Sequence, residues 1–419
     1  MAESIHRTDS IDGHGHPLCF KTQAGQNRPG VLGIHDAQDV FITHARAMGG
    51  HQKEAVVKEG QTGSSWRMVS DEGPALKGTD LAPFPLGYMS AGLQADLLQR
   101  VRQLAQAQDI SLTSLSSSLE NDYMFEGSFF KGTGVGHAYA PRFQVRAQSS
   151  ASAEQVLGLV RQAVAASPLL ASWATPLHNT FALYANGRRV TLRELASSTA
   201  TVDDPFKTWS QAPTPLANAD TLQDIVSKTQ PVEVKNPTSP SGWEAGRVDI
   251  PIHGHSELAD GLGRSVTWAN RLGGSAFAIQ SDDRLVGDQA PSALAHAYAG
   301  IAFCFMTQLL RYVEHHHMKV RALRMVQLSP CRIESSVAQA QPLDTHVFVH
   351  TEETDEVMER LMQMSARTCY LHAALGQSLA PEVSLFLNGH HQKKLFLKYP
   401  KIDRLRNWLS KIVLYPPIN

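Results

Sequence analysis

Apolar and polar positions along this chain follow two periods, and the same order of periods occurs twice. In the second half, Arg247-Val-Asp-Ile-Pro-Ile252 and Ser275-Ala-Phe-Ala-Ile279 are short β-type runs set between Gly-rich turns. From about Ser292 to Glu314 the rhythm becomes helical: Leu294, Ala297, Tyr298, Ile301, Phe305, Leu309 and Tyr312 recur at spacings of one, three and four. The residues between them are also mostly apolar, which predicts a helix buried nearly all round. Strand patterns follow at 320–328 and 345–350. Thr354 then reads as an N-cap, with Asp355 and Glu356 in the favourable first turn of a second helix that carries Val357, Leu361, Met364 and Cys369. A last strand at 383–387 ends on the turn dipeptide Asn388-Gly389. The tail, 402–414, has the pattern of a short basic amphipathic helix.

Three ungapped segment pairs show that the first half repeats this plan. Gly63-Ser-Ser-Trp-Arg-Met-Val-Ser-Asp-Glu72 matches Gly274-Ser-Ala-Phe-Ala-Ile-Gln-Ser-Asp-Asp283, an offset of 211 residues from 63 to 274. Ala91-Gly-Leu-Gln-Ala-Asp96 matches Ala299-Gly-Ile-Ala-Phe-Cys304, an offset of 208 from 91 to 299. Ala182-Leu-Tyr-Ala-Asn-Gly187 matches Ser384-Leu-Phe-Leu-Asn-Gly389, an offset of 202 from 182 to 384. The pairs are collinear and the offsets drift slowly. Trp66 and Phe277 fall at matching places and are expected in the core. Residues 196–245 are rich in Ser, Thr, Pro, Asn and Asp, as a linker is, although Trp209 and Trp243 argue for some order within it. The expected organisation is a polar arm at 1–30, a first unit at 31–195, the linker, a second unit at 246–398 and a tail helix at 399–419.

Composition narrows the function. The 419 residues are 42% hydrophobic and 18% charged, with a formal net charge of -1. That is ordinary globular make-up, without the basic excess of a nucleic-acid binder. The polar start does not read as a secretory signal, and no run of about 18 apolar residues stands out as a membrane span. Four cysteines, Cys19, Cys304, Cys331 and Cys369, are too few for a disulfide framework, so a reducing, cytoplasmic setting is expected.

The chemistry points to two of those thiols. Cys304 lies mid-helix, and Cys369 lies in Arg367-Thr-Cys-Tyr-Leu-His372, near the end of the next helix. Each alone reads as a small buried hydrophobe. Together, on the two long helices of one repeat, they are placed for nucleophilic attack by one thiolate and resolution by the other. The first half has Asp96 and Ser167 at the matching positions, so the halves divide into one that carries thiols and one that lacks both. Cys331, after Ser329-Pro330, is expected in a loop or at a strand edge. Gly132-Thr-Gly-Val-Gly136 is expected to be a hairpin turn.

Here the sequence resembles the OsmC/Ohr family of thiol-dependent peroxidases. Ala290-Pro-Ser-Ala-Leu294 followed by Ala299-Gly-Ile-Ala-Phe-Cys304 is similar to its first motif, and Thr368-Cys-Tyr-Leu-His372 to its second. In the first half, Asp80-Leu-Ala-Pro-Phe-Pro-Leu-Gly-Tyr-Met-Ser-Ala-Gly92 and Ala166-Ser-Pro-Leu169 resemble the same motifs without their cysteines. The resemblance implies an α+β fold of two tandem OsmC-like units forming an intramolecular pseudo-dimer, with central helices packed against antiparallel sheets. It implies that Cys304 reacts with an organic hydroperoxide, that Cys369 resolves the sulfenic acid as an internal disulfide, and that a dithiol reductant resets the pair. No cofactor or metal is implied. The chain departs from the motifs in three ways. Ser292 and Ala293 follow Pro291 where the family has a Glu, the span to Cys304 is about two residues longer, and Tyr370 replaces a Pro. Arg264, Arg271 and Arg284 are candidates for an activating cation.

Two other classes stay open. Cys304 is also a candidate nucleophile of a hydrolase or transferase acting on a small organic substrate, with His372 or His296 as base. The count of 19 histidines, including His315-His316-His317, raises a non-catalytic ligand- or metal-binding alternative, although the spacings match no metal motif. Neither nucleic acid nor membrane is an expected partner. Pairing with a second copy of the chain is open.

Overall fold

The computed structural model describes residues 9–26, 31, 33, 35–129, 131–216, 224–230, 246–258, 264–271, 274–283, 285 and 287–396. Among these, the strands form three sheets. The first runs β1 (Cys19–Gln23), β4 (Ser65–Ser70), β3 (Lys53–Lys58), β2 (Ala37–Ala47), β16 (Val320–Glu334), β18 (Asp344–Thr351), β9 (Thr180–Ala185) and β10 (Arg188–Val190), with β17 (Val337–Gln339) hairpinned to β16. The second runs β11 (Val226–Gln230), β15 (Ala276–Asp282), β14 (Arg264–Arg271), β13 (Ile252–Leu258), β5 (Ser114–Glu120), β8 (Arg142–Gln148), β19 (Glu382–Leu387) and β20 (His390–Phe396). A small third sheet joins β12 (Arg247–Ile250), β6 (Tyr123–Glu126) and β7 (Val135–Ala138).

The two large sheets follow one plan and exchange strands. β16 and β18 of the second half lie between β2 and β9 of the first, and β5 and β8 of the first lie between β13 and β19 of the second. Each sheet has one parallel pair, β18 with β9 and β19 with β8, in an otherwise antiparallel order. Neither half can therefore complete its sheet without the other.

The helices are α1 (Ile11–His14), α2 (Pro85–Ala107), α3 (Ala153–Ala165), α4 (Pro168–Ala174), α5 (Phe206–Trp209), α6 (Ala293–His315), α7 (Asp355–Thr368) and α8 (Tyr370–Leu375). The long helices α2 and α6 pack on one another through reciprocal glycines. A β-carbon on Gly92 would stand 2.6 Å from the Ala293 carbonyl oxygen, and one on Gly300 would stand 2.9 Å from that of Pro85. Both are closer than real β-carbons come, so each helix has a glycine where the other's backbone approaches. Ser292 caps α6 by accepting from the Ala295 amide. By length and composition α6 is apolar enough to cross a bilayer, contrary to the expectation that no such run exists, but it is buried inside the protein as a core helix.

Other expectations need correction. The arm is ordered in part: β1 pairs with β4, because Cys19 and Phe20 bury their side chains and carry the edge of the first sheet. Within the expected linker there is order, as its tryptophans argued. Its β11 pairs with β15, Asp204 holds Arg324 through two 2.7 Å hydrogen bonds, and Trp209 lies 5.1 Å from the Arg46 guanidinium. Cys331 is neither in a loop nor on an edge. It is 1% exposed, on a central strand that runs six residues beyond the expected end at Leu328 because β2 and β17 pair with its extension. Trp66 and Phe277 are buried as expected, and Gly132–Gly136 belongs to the β6–β7 hairpin. Arg284, Trp243 and the tail helix lie outside the described residues.

Candidate active site

Cys304 sits on α6, one helical turn beyond Gly300, so the contact that sets the helix crossing also sets the height of the thiol. Cys369 sits at the break between α7 and α8, in extended conformation (φ -76°, ψ 115°), ending one helix and starting the next. The two sulfurs, 65 residues apart in sequence, are 3.4 Å apart. That is hydrogen-bond range for thiols and well beyond the ~2.05 Å of a disulfide, so the two sulfurs are unbonded. Cys304 is 2% exposed and Cys369 is 0% exposed.

Of the two histidines expected near the thiols, one is there. His372, on the first turn of α8, brings Nδ1 to 3.2 Å from the Cys369 sulfur. Its ring packs on Phe305 and Phe181, and burial lowers its pKa to about 4, which keeps it neutral at pH 7. His296 is a correction. It stacks on Tyr88 and its Nε2 meets the Gln280 carbonyl of β15 at 2.9 Å, because its place near the start of α6 faces that strand. Burial holds it neutral too, with a pKa of about 4.

The Cys369 thiol is pushed well above its ordinary pKa, first by burial and then by the hydrogen bond to Cys304. The amides of Leu371 and His372, at the start of α8, act in the opposite sense. Positive charge reaches the stretch of α6 beyond Cys304 from two residues that are not among the candidates by sequence. Lys53, on β3 of the first half and 0% exposed, donates to Thr307 Oγ1 at 2.9 Å and lies 3.3 Å from Glu72 Oε1. Thr307 is one turn beyond Cys304 and itself donates to Glu72 at 2.7 Å. Arg311, two turns beyond Cys304 on the same helix face, feels the charges of Tyr370, Glu72 and Cys304. Its guanidinium covers the Phe129 ring at 4.0 Å. The hydroxyls of Tyr123 and Tyr370 adjoin the thiols electrostatically, and burial pushes both pKa values upward. Spacing on α6 points to Arg311. Nothing local points to Lys53, which reaches Thr307 across 254 residues of sequence. Arg264, a candidate by sequence, is engaged by Asp282, Gln280 and Gln289 instead.

The first half fills the matching places with charge. Ser167 donates to Asp96 at 2.5 Å, and Asp96 accepts from Arg100 at 2.9 Å. Arg100 also donates to the carbonyls of Gly33 and Val31. All three side chains are buried. Where the second half holds two thiols between its helices, the first holds a hydroxyl, a carboxylate and a guanidinium, each satisfied and none nucleophilic. Among the described residues, no group of three or more His, Cys, Asp or Glu is placed to hold a metal ion.

No curated protein shows significant similarity to the chain. A crystal structure of an OsmC-like hydroperoxide resistance protein from Jannaschia sp. CCS1 matches at 20% sequence identity, covering 34% of this chain and 97% of that one, with a TM-score of 0.23. The family model for OsmC-like protein matches residues 286–384, which include α6, α7, α8 and both thiols. The chain therefore carries an OsmC-like domain over residues 286–384.

Proposed function

We propose that the chain is a tandem duplication of an OsmC-like unit, folded as an internal pseudo-dimer, and that it reduces organic hydroperoxides at Cys304 with Cys369 as the resolving thiol. The observation that carries this reading is the 3.4 Å approach of two buried, unbonded sulfurs, with Arg311 close enough to feel the Cys304 charge. The shared strand order of the two large sheets supports the duplication.

The Cys304 thiolate attacks the distal oxygen of ROOH. A sulfur–oxygen bond forms, the oxygen–oxygen bond breaks, and the alkoxide leaves and takes up a proton as ROH. Arg311 balances the negative charge that passes from sulfur to the leaving oxygen. Cys369 then attacks the sulfenic sulfur, the disulfide forms and water leaves. A dithiol supplies two electrons and two protons to restore both thiols. His372 stands at Cys369, where a neutral imidazole accepts the thiol proton during the resolving step. That placement favours the peroxidase over the hydrolase reading, which needs its base at Cys304.

Treatment with tert-butyl hydroperoxide tests the reading. In the wild-type chain, mass spectrometry should find a Cys304–Cys369 disulfide and loss of two hydrogens. In Cys369→Ser, a sulfenate-trapping dione should label Cys304. A chain that turns over hydroperoxide with Cys304→Ser, or never forms either product, does not work this way.

A further inference from the structure

Both thiols are closed to solvent, so any substrate needs an opening. Over the thiols lies the small sheet β12–β6–β7, which continues β13, β5 and β8 of the second large sheet across short breaks, the Asn121 amide donating to the Ile252 carbonyl at one of them. Its inner face carries Tyr123, which adjoins Cys304 and Cys369 electrostatically and whose ring lies 5.9 Å from that of Tyr370. Next on that face is Phe125, stacked on Phe129 at 5.2 Å, with Arg311 against both rings. Its outer face carries Glu126, His137 and Asp249, which reach solvent. A single strand layer therefore separates the thiols from water there.

The sheet is fitted to the Cys369 junction by glycines. A β-carbon on Gly136 would stand 2.5 Å from the Thr368 carbonyl oxygen, and one on Gly134 would stand 2.9 Å from the Phe125 ring and 3.3 Å from Thr368 Cγ2. Thr368 and Tyr370 flank Cys369 directly. The docking surface is thus backbone against backbone, with Arg367 donating to the Thr133 carbonyl at 3.2 Å at its rim. Close backbone packing gives little directional grip, and the ladders within the small sheet are four residue pairs long, against seven in β5–β8 and in β13–β14.

We infer that β12–β6–β7 is the gate to the thiol pair: it lifts from the α7–α8 junction to admit reagents to Cys304, and its aromatic face, Phe125 and Phe129 with Arg311 against them, forms the entrance wall. The inference rests on the proposed thiol chemistry only in taking Cys304 as the destination. It is tested without peroxide. The rate at which iodoacetamide alkylates Cys304 in the folded, reduced chain measures how often the site opens.

Gly136→Ala wedges a methyl group into the dock and should raise that rate by about tenfold, given the cost of overpacking a tight contact. Gly254→Ala, whose methyl group on β13 meets the movable end of the Gln94 side chain of α2, should leave it unchanged. An unchanged rate in Gly136→Ala, or an equal rise in both variants, overturns the gate. If Gly136→Ala does not fold, hydrogen exchange of the wild-type chain decides. Amides of 123–126 and 135–138 should exchange faster than those of β5 and β8, and equal protection overturns the gate. A gate that opens in a chain inert to hydroperoxide, or turnover without a gate, separates this inference from the function proposed above.

Discussion

At the residue scale, the site is set by which side chains share a buried space with two sulfurs. Lys53 is paired with Glu72, and Arg311 feels the charges of Tyr370, Glu72 and Cys304. Arg311→Met should slow hydroperoxide reduction by roughly tenfold or more, since charge stabilisation of this kind is worth a few kcal/mol. Stopped-flow measurement of Cys304 oxidation checks this, and an unaltered rate would remove Arg311 from the chemistry. The first-half counterpart is predicted to matter for stability instead. Asp96→Ala leaves the buried Arg100 cation without its carboxylate, at a cost of about 3–5 kcal/mol in urea unfolding. A loss under 1 kcal/mol would mean that the carbonyls of Gly33 and Val31 suffice for Arg100.

At the element scale, the decisive feature is the crossing of α2 and α6. Gly92 and Gly300, related by the 208-residue offset, let each backbone approach the other. A methyl group at either must push the helices apart, and Cys304 rides one turn beyond Gly300. Gly300→Ala should therefore cost roughly 1–3 kcal/mol and also weaken the sulfur–sulfur approach. The double readout is a lower denaturation midpoint together with slower disulfide formation after Cys304 oxidation. A stability loss with disulfide formation at the wild-type rate would show that the crossing does not set the thiol geometry. The break at Cys369 belongs to this scale as well, because it turns α8 so that His372 and the thiol meet.

At the scale of the whole molecule, strand exchange makes the two halves one folding unit, since every large-sheet core contains strands of both. Unfolding should be a single transition, and neither half expressed alone should fold. Two buried histidines and a half-buried one give the molecule a pH limit. His44, His296 and His372 are each held near a pKa of about 4 by burial, while the unfolded chain binds protons near ~6.5. Their contribution is complete above the unfolded value and is lost as pH falls through the interval down to about 4. In that interval each histidine costs up to roughly 1.4 kcal/mol per pH unit. The urea midpoint should drop steeply from pH 7 to pH 5. A flat profile would mean that these rings are protonated in the folded state.

Much was legible in the chain itself. Period and capping marked α6 and α7 to within a residue or two, because their apolar spacing and the N-cap position of Ser292 and Thr354 are local facts. The collinear segment pairs, with Asp96 and Ser167 where the second half has its cysteines, were legible because the two halves can be laid against each other. The sequence alone also singled out Cys304, Cys369 and His372. What it did not determine was proximity. Lys53 reads as one more polar position on a strand, and only the exchange of strands between halves carries it to Thr307. His296 and His372 are alike on paper, each near a cysteine along a helix. One turns to β15 and the other to a thiol, because direction around a helix axis acquires meaning only when its neighbours are in place. Local periodicity follows from backbone geometry, whereas a buried site is made by contacts between residues far apart in sequence, and the tertiary structure alone decides those.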